Sequence, residues 1–170
     1  MPASTVPLFD ASPPAEAAVA LGPCCASTAW QDLVVARRPY GDLDSLARAS
    51  DAALVTLTWD GVLEALAAHP RIGQRAGGDD VESRWSRAEQ SAAATDDADV
   101  TTRLREGNVA YEERFGWVFL ICATGKSPEA VLASLTGRLG NEPDVEQVEV
   151  REQLRQIVRL RLTKTFEESA

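Results

Sequence analysis

His69 is the single histidine of a 170-residue chain, and it stands in the run His69-Pro70-Arg71-Ile72-Gly73. Imidazole is the one side chain whose ordinary pKa lies between pH 5 and 8, so His69 is the first candidate for moving a proton at neutral pH. Pro70 disfavours helical geometry at His69, which predicts that a helix ends there. A helix C-terminus favours the protonated ring. Further on, Trp85-Ser86-Arg87-Ala88-Glu89-Gln90 sets Ser86, Glu89 and Gln90 at i, i+3 and i+4. On a helix, that spacing gathers a hydroxyl, a carboxylate and an amide on one face. Each stretch also has a plain structural explanation. A histidine at a helix end often caps it, and Ser-x-x-Glu is the capping-box pattern.

A third candidate is Arg161, within Arg159-Leu160-Arg161-Leu162. Val150, Leu154 and Ile157 fall at i, i+4 and i+7, and Arg161 at i+11 lies on the same stripe. At about 100° per residue, Arg161 points within roughly 20° of Val150 and Arg159 points nearly opposite. An arginine on an apolar stripe must find a partner, because an unpaired buried charge is costly. The partner is either an internal acid such as Glu89 or an anionic oxygen of a ligand.

The elements that must carry these residues read as helices. Residues 1–11 look like a flexible leader, and Ser12-Pro13 looks like a capped helix start ending at Gly22-Pro23. Ser27 can cap a helix with Trp30, Leu33 and Val34, stopped before Pro39. Another spans about 43–54, and Thr58 can cap the one that delivers His69. A short helix over 87–94 holds Glu89. Asp96 or Asp97 opens a long helix whose stripe is Leu104, Asn108, Tyr111 and Phe115, closed by Gly116. Asn108 on that stripe should be buried and hydrogen-bonded. Ser127-Pro128 opens the next helix, and the last runs from about Asp144 to Phe166.

Residues 117–123, Trp-Val-Phe-Leu-Ile-Cys-Ala, form the one strand-like run, with no second run to pair with. It reads as a buried extended connector whose peptide groups are free to bond a ligand. The fold class is therefore all-α: a single irregular helical domain, residues 12–170, of about eight or nine helices.

Composition narrows the function. Hydrophobic residues make up 45% and charged residues 25%, as in an ordinary soluble domain with a sizeable core. The net charge of −9 argues against a nucleic-acid partner, which would call for a basic face. Cys24, Cys25 and Cys122 fit neither a disulfide framework nor a metal site. They suit a reducing compartment. No apolar run reaches the roughly 20 residues that cross a bilayer, and neither a secretory signal nor a peroxisomal C-terminus is expected. A cytoplasmic location is the expectation.

The His-Pro-x-Ile-Gly run, followed about twenty residues later by Ser-x-x-Glu-Gln, resembles the family of 2-oxo-4-hydroxy-4-carboxy-5-ureidoimidazoline (OHCU) decarboxylases. Further matching elements run in order along the chain. They are Cys24-Cys25-Ala26-Ser27-Thr28-Ala29-Trp30, Arg38-Pro39-Tyr40, Asn108-x-x-Tyr111, Phe115-Gly116-Trp117-Val118-Phe119, Gly125-Lys126-Ser127 and Arg161-Leu162. Val118 is a departure, since many relatives carry proline there.

The resemblance implies decarboxylation of OHCU to S-allantoin and CO2 in uric acid degradation, with no metal or organic cofactor. It implies His69, Glu89 and Arg161 as catalytic residues. Pro70, Ser86, Gln90 and the backbone at Leu120 and Ile121 would contact the substrate. It further implies a homodimer, with four tryptophans available for an interface. The competing class is a non-enzymatic helical binding protein that kept the scaffold.

Overall fold

The structure, a computed structural model, describes residues 4–73, 85, 87–89, 91 and 95–167. Eight helices with defined bounds lie among these residues. They are α1 (Val6–Ala11), α2 (Pro14–Leu21), α3 (Thr28–Ala36), α4 (Leu43–Thr56), α5 (Trp59–Ala67), α6 (Ala98–Phe115), α7 (Pro128–Arg138) and α8 (Pro143–Phe166). Residues 85 and 87–89 also carry helical backbone, and no strand occurs among the described residues. The all-α class expected from the sequence is the class observed. Contacts group the chain into two compact units, one of Met1–Ala65 with Arg155–Ala170, the other of Leu66–Leu154.

In the first unit the helix starts follow local chemistry. Ser27 Oγ accepts from the Trp30 N–H at 3.4 Å, Asp42 Oδ1 from Ser45 N–H at 2.7 Å, and Thr58 Oγ1 from Gly61 N–H at 3.2 Å. Each satisfies a backbone donor that has no partner within the helix. Trp30, Leu46 and Ala53 are fully buried here.

Residues 1–11 do not form the flexible leader expected of them, as far as they are described. Val6 and Phe9, one turn apart on α1, are both buried. Thr5 N–H donates to Phe166 O at 2.9 Å, and the Phe9 and Phe166 rings meet edge-on at 5.0 Å. Arg38 Nη1 donates to Phe9 O at 2.6 Å and Ser12 O at 2.9 Å. A helix this short gains its order from such contacts rather than from its own propensity, so its six residues give little warning of it. Ser12 also differs from expectation. Its hydroxyl donates to Phe9 O at 2.8 Å and closes α1, while Pro13 stands at the N-cap of α2 without a side-chain bond.

In the second unit Asp97 caps α6, accepting from Asp99 N–H at 2.9 Å and Val100 N–H at 3.3 Å. The stripe Leu104, Asn108, Tyr111 and Phe115 is buried throughout. Gly116, at φ +82°, closes the helix in the left-handed conformation that glycine tolerates. Ser127 Oγ accepts from Ala130 N–H at 3.1 Å and caps α7. Helices α6 and α7 pack so closely that a Cβ at Gly107 would lie 2.6 Å from Leu135 Cδ2. That close approach explains a glycine in mid-helix, where it otherwise costs roughly 1 kcal/mol relative to alanine. Residues 117–123 belong to no helix or strand, and Phe119, Leu120, Ile121, Cys122 and Ala123 are all buried.

Candidate active site

His69 lies just past the end of α5. Its N–H donates to Leu66 O at 2.9 Å, which adds one last turn to the helix. Pro70 follows with no N–H to continue it. Both side chains are half-buried. Glu89 is buried, at 9% exposure, on the helical backbone of residues 87–89. Ser86 and Gln90 lie outside the described residues, and with them the expected one-face arrangement.

Leu120 and Ile121 sit in the connector between α6 and α7, which is held by a buried polar network. Arg138 Nη1 donates to Leu120 O at 2.7 Å, and its guanidinium lies 4.5 Å from the Phe119 ring centroid. Arg138 also donates to Glu146 Oε1 from Nε at 2.8 Å and from Nη2 at 2.6 Å. Tyr111 Oη donates to the same carboxylate oxygen at 2.5 Å, and Asn141 Nδ2 donates to Oε2 at 2.8 Å. Trp117 Nε1 donates to Tyr111 Oη at 3.1 Å. Burial first, then the hydrogen bond to Glu146, pushes the Tyr111 phenol well above its ordinary range. Tyr111 thus stays protonated and keeps donating.

One residue on, Cys122 N–H donates to Gln153 Oε1 at 2.8 Å, and Gln153 Nε2 is held by Glu149 at 2.7 Å. Among the described residues, the peptide groups of Ile121 carry no protein hydrogen bond. The connector is thus fixed at Leu120 O and Cys122 N.

His69, Pro70, Glu89, Leu120 and Ile121 all belong to the Leu66–Leu154 unit, and Arg161 belongs to the other. Arg161 is fully buried, as its helical spacing predicts, and Nη1 donates to Pro23 O at 3.1 Å. Arg159 keeps 42% of its side chain exposed and forms a fork on Asp51, with Nε 2.9 Å and Nη2 2.6 Å from Oδ2.

Arg138, Glu146 and Gln153 are not among the candidates drawn from residue type and spacing. A signal for Glu146 was available. It precedes Val150 by four residues, on the same apolar stripe that singled out Arg161. Arg138, near a helix end, looks like an ordinary dipole partner and gives no such signal.

The chain matches the OHCU decarboxylase family over residues 10–163. It is 33% identical over 152 residues to "Uric acid degradation bifunctional protein TTL" of Arabidopsis thaliana, covering 86% of this chain and 46% of that protein. It is 42% identical over 79 residues to the "2-oxo-4-hydroxy-4-carboxy-5-ureidoimidazoline decarboxylase" of Amia calva, covering 45% of each. The match thus spans about half the length of these two curated relatives. In structure it resembles an OHCU decarboxylase crystallised in the presence of (S)-allantoin, with TM-score 0.72 and 28% identity, covering 84% of this chain and 94% of that one. By a match that runs from the end of α1 almost to the end of α8, this chain belongs to the OHCU decarboxylase family.

Proposed function

We propose that the chain decarboxylates OHCU to S-allantoin and CO2 in uric acid degradation, without a cofactor. Family membership over residues 10–163, with His69, Glu89 and Arg161 all present, carries this reading. The bond to the departing carboxylate breaks, and its electron pair moves into the conjugated imine system of the ring. A ring carbon is then protonated on one face. The protein must supply orientation, a proton donor or acceptor, and stabilisation of the moving negative charge.

In this reading His69 is the general acid/base, with Pro70 fixing its approach. Glu89 and Gln90 take the ureido and ring N–H groups, and Ser86 adds a hydrogen bond. The peptide groups at Leu120 and Ile121 bind the ring, and Arg161 grips an anionic or carbonyl oxygen with its fork of donors. The connector supports the backbone contact, because Arg138 and Gln153 hold it while, among the described residues, the Ile121 peptide groups take no protein partner. The direct test is incubation with freshly oxidised urate, in which S-allantoin must form faster than it does spontaneously. If chelation abolishes activity and added metal restores it, the cofactor-free part fails.

The two arginines of α8 provide a test of the site. Arg161→Lys should lose about 10²-fold in kcat/KM, since an ammonium cannot supply the planar fork. Arg159→Lys should stay within about twofold of the parent, because it disturbs only an ion pair at the surface. Equal losses, or a larger loss at Arg159, would remove Arg161 from the site.

Two coarser features belong to the same proposal. The three cysteines are buried and form no disulfide, which suits a reducing, cytoplasmic location. No helix among the described residues is long and apolar enough to cross a membrane. The chain is also proposed to be a homodimer. Trp30, fully buried in its own unit, cannot serve that interface, whereas Trp59, Trp85 and Trp117 are only half-buried. Sedimentation showing only monomer at micromolar concentration would remove the dimer.

A further inference from the structure

We propose that Asn108 is a positioning residue for His69, fixing from helix α6 the turn that carries the imidazole. This rests on His69 being the acid/base group. The turn from His69 to Gly73 leaves α5 through a proline, so no helical hydrogen bonding can extend through it. It is held at its start by His69 N–H on Leu66 O at 2.9 Å. Three residues later Asn108 Nδ2 donates to Ile72 O at 3.0 Å, with Asn108 4% and Ile72 6% exposed. Between these points the Arg71 guanidinium forks onto Glu112, Nε at 2.5 Å from Oε1 and Nη2 at 2.7 Å from Oε2.

Asn108 and Glu112 are i and i+4 on α6, so one helix face grips the turn twice. The inner grip is buried, where a hydrogen bond is not loosened by competing water. The outer one is partly exposed and contributes less.

Asn108 does not look like a mere core filler. Its neighbours on the stripe are Leu104, Tyr111 and Phe115, and a leucine would fill the same space without a buried amide. Among the described residues its Oδ1 has no hydrogen-bond partner, so half of the amide is left unsatisfied inside the core. The half that is used holds the main chain three residues from the imidazole. A proton-transfer group must sit within hydrogen-bond reach of its substrate, and a displacement of about 1 Å can cost roughly 10²-fold in rate.

The experiment uses the fact that His69 is the sole histidine, so its imidazole Cε1–H gives a single NMR signal in the whole protein. Asn108→Ala should lower kcat on freshly oxidised urate about 10- to 100-fold with KM within about threefold, because a misplaced acid/base group slows chemistry more than binding. The same variant should shift or broaden the His69 signal. Val131→Ala, which trims the same core on α7, should keep both the His69 signal and the kcat of the folded fraction. If Asn108→Ala keeps the parental signal and kcat, or if Val131→Ala shows the same losses, the positioning role is overturned. If Asn108→Ala does not fold, Asn108→Leu, which fills the same space without the amide, takes its place. It should move the His69 signal and lower kcat about tenfold, and parental values for it overturn the proposal. If the parent protein does not process oxidised urate, the functional reading fails, and the NMR comparison still decides whether Asn108 sets the imidazole.

Discussion

His69→Ala should lose about 10²–10⁴-fold in turnover on OHCU, the range by which a positioned general acid/base accelerates a reaction. The helical circular dichroism should stay at the parental level. The side chain is half-buried in a turn and lies outside the buried core, so its removal leaves no large cavity. Decarboxylation by this route ends with a proton delivered to one face of a planar intermediate, and no other side chain of the chain ordinarily exchanges protons near pH 7. A histidine-selective acylating reagent should inactivate the parent with single-site stoichiometry, and S-allantoin should protect. A fully active alanine variant would return His69 to the role of an ordinary residue at a helix end.

Glu146→Ala should be the most destabilising single change in the Leu66–Leu154 unit. Glu146 is fully buried and accepts from Arg138, Tyr111 and Asn141. Its removal leaves the Arg138 guanidinium, itself 8% exposed, without its carboxylate. Breaking such a pair costs about 3–5 kcal/mol. For a chain of this size, roughly 2–4 °C per kcal/mol converts that to a melting point about 6–20 °C lower. Replacing both members, as Arg138→Met with Glu146→Leu, should cost less than Glu146→Ala alone, because no charge is then stranded. A fall of less than about 2 °C for Glu146→Ala would mean the network does not hold the connector. The effect should reach the site as well, since Arg138 is the group that fixes Leu120 O.

The sequence carried more of the fold than of the site's support. Polar caps at Ser27, Thr58, Asp97 and Ser127 and the αL glycine at 116 act within a few residues, so their chemistry is readable locally. The buried stripe of α6 and the inward Arg161 follow from periodicity, whereas the unpaired connector at 117–123 follows from the lack of a second strand-like run to pair with it. Helix α1 was read as a loose leader because its order comes from Phe166 and Arg38, both distant in sequence. Ser12 was assigned to the wrong helix for a related reason: a hydroxyl between two helices can close one or open the other, and the run of prolines does not decide it.

For the candidate site, the residue types were legible and their support was not. Single-residue rarity marked His69, and helical spacing marked Arg161. The donors and acceptors that hold the connector, Arg138 and Gln153, become visible only when distant elements are packed together. Asn108 was expected to be a buried hydrogen-bonded residue, and it is. That its partner is the main chain of the His69 turn could not be read from α6 alone.

The most direct measurement is the optical activity of the product. Urate is oxidised enzymatically, the chain is added with a chelator present, and circular dichroism is followed as CO2 is released. S-allantoin should appear fast and in step with CO2, and the His69→Ala variant should lose that appearance. Racemic allantoin forming at the spontaneous rate, with or without the protein, would contradict catalysis by this chain.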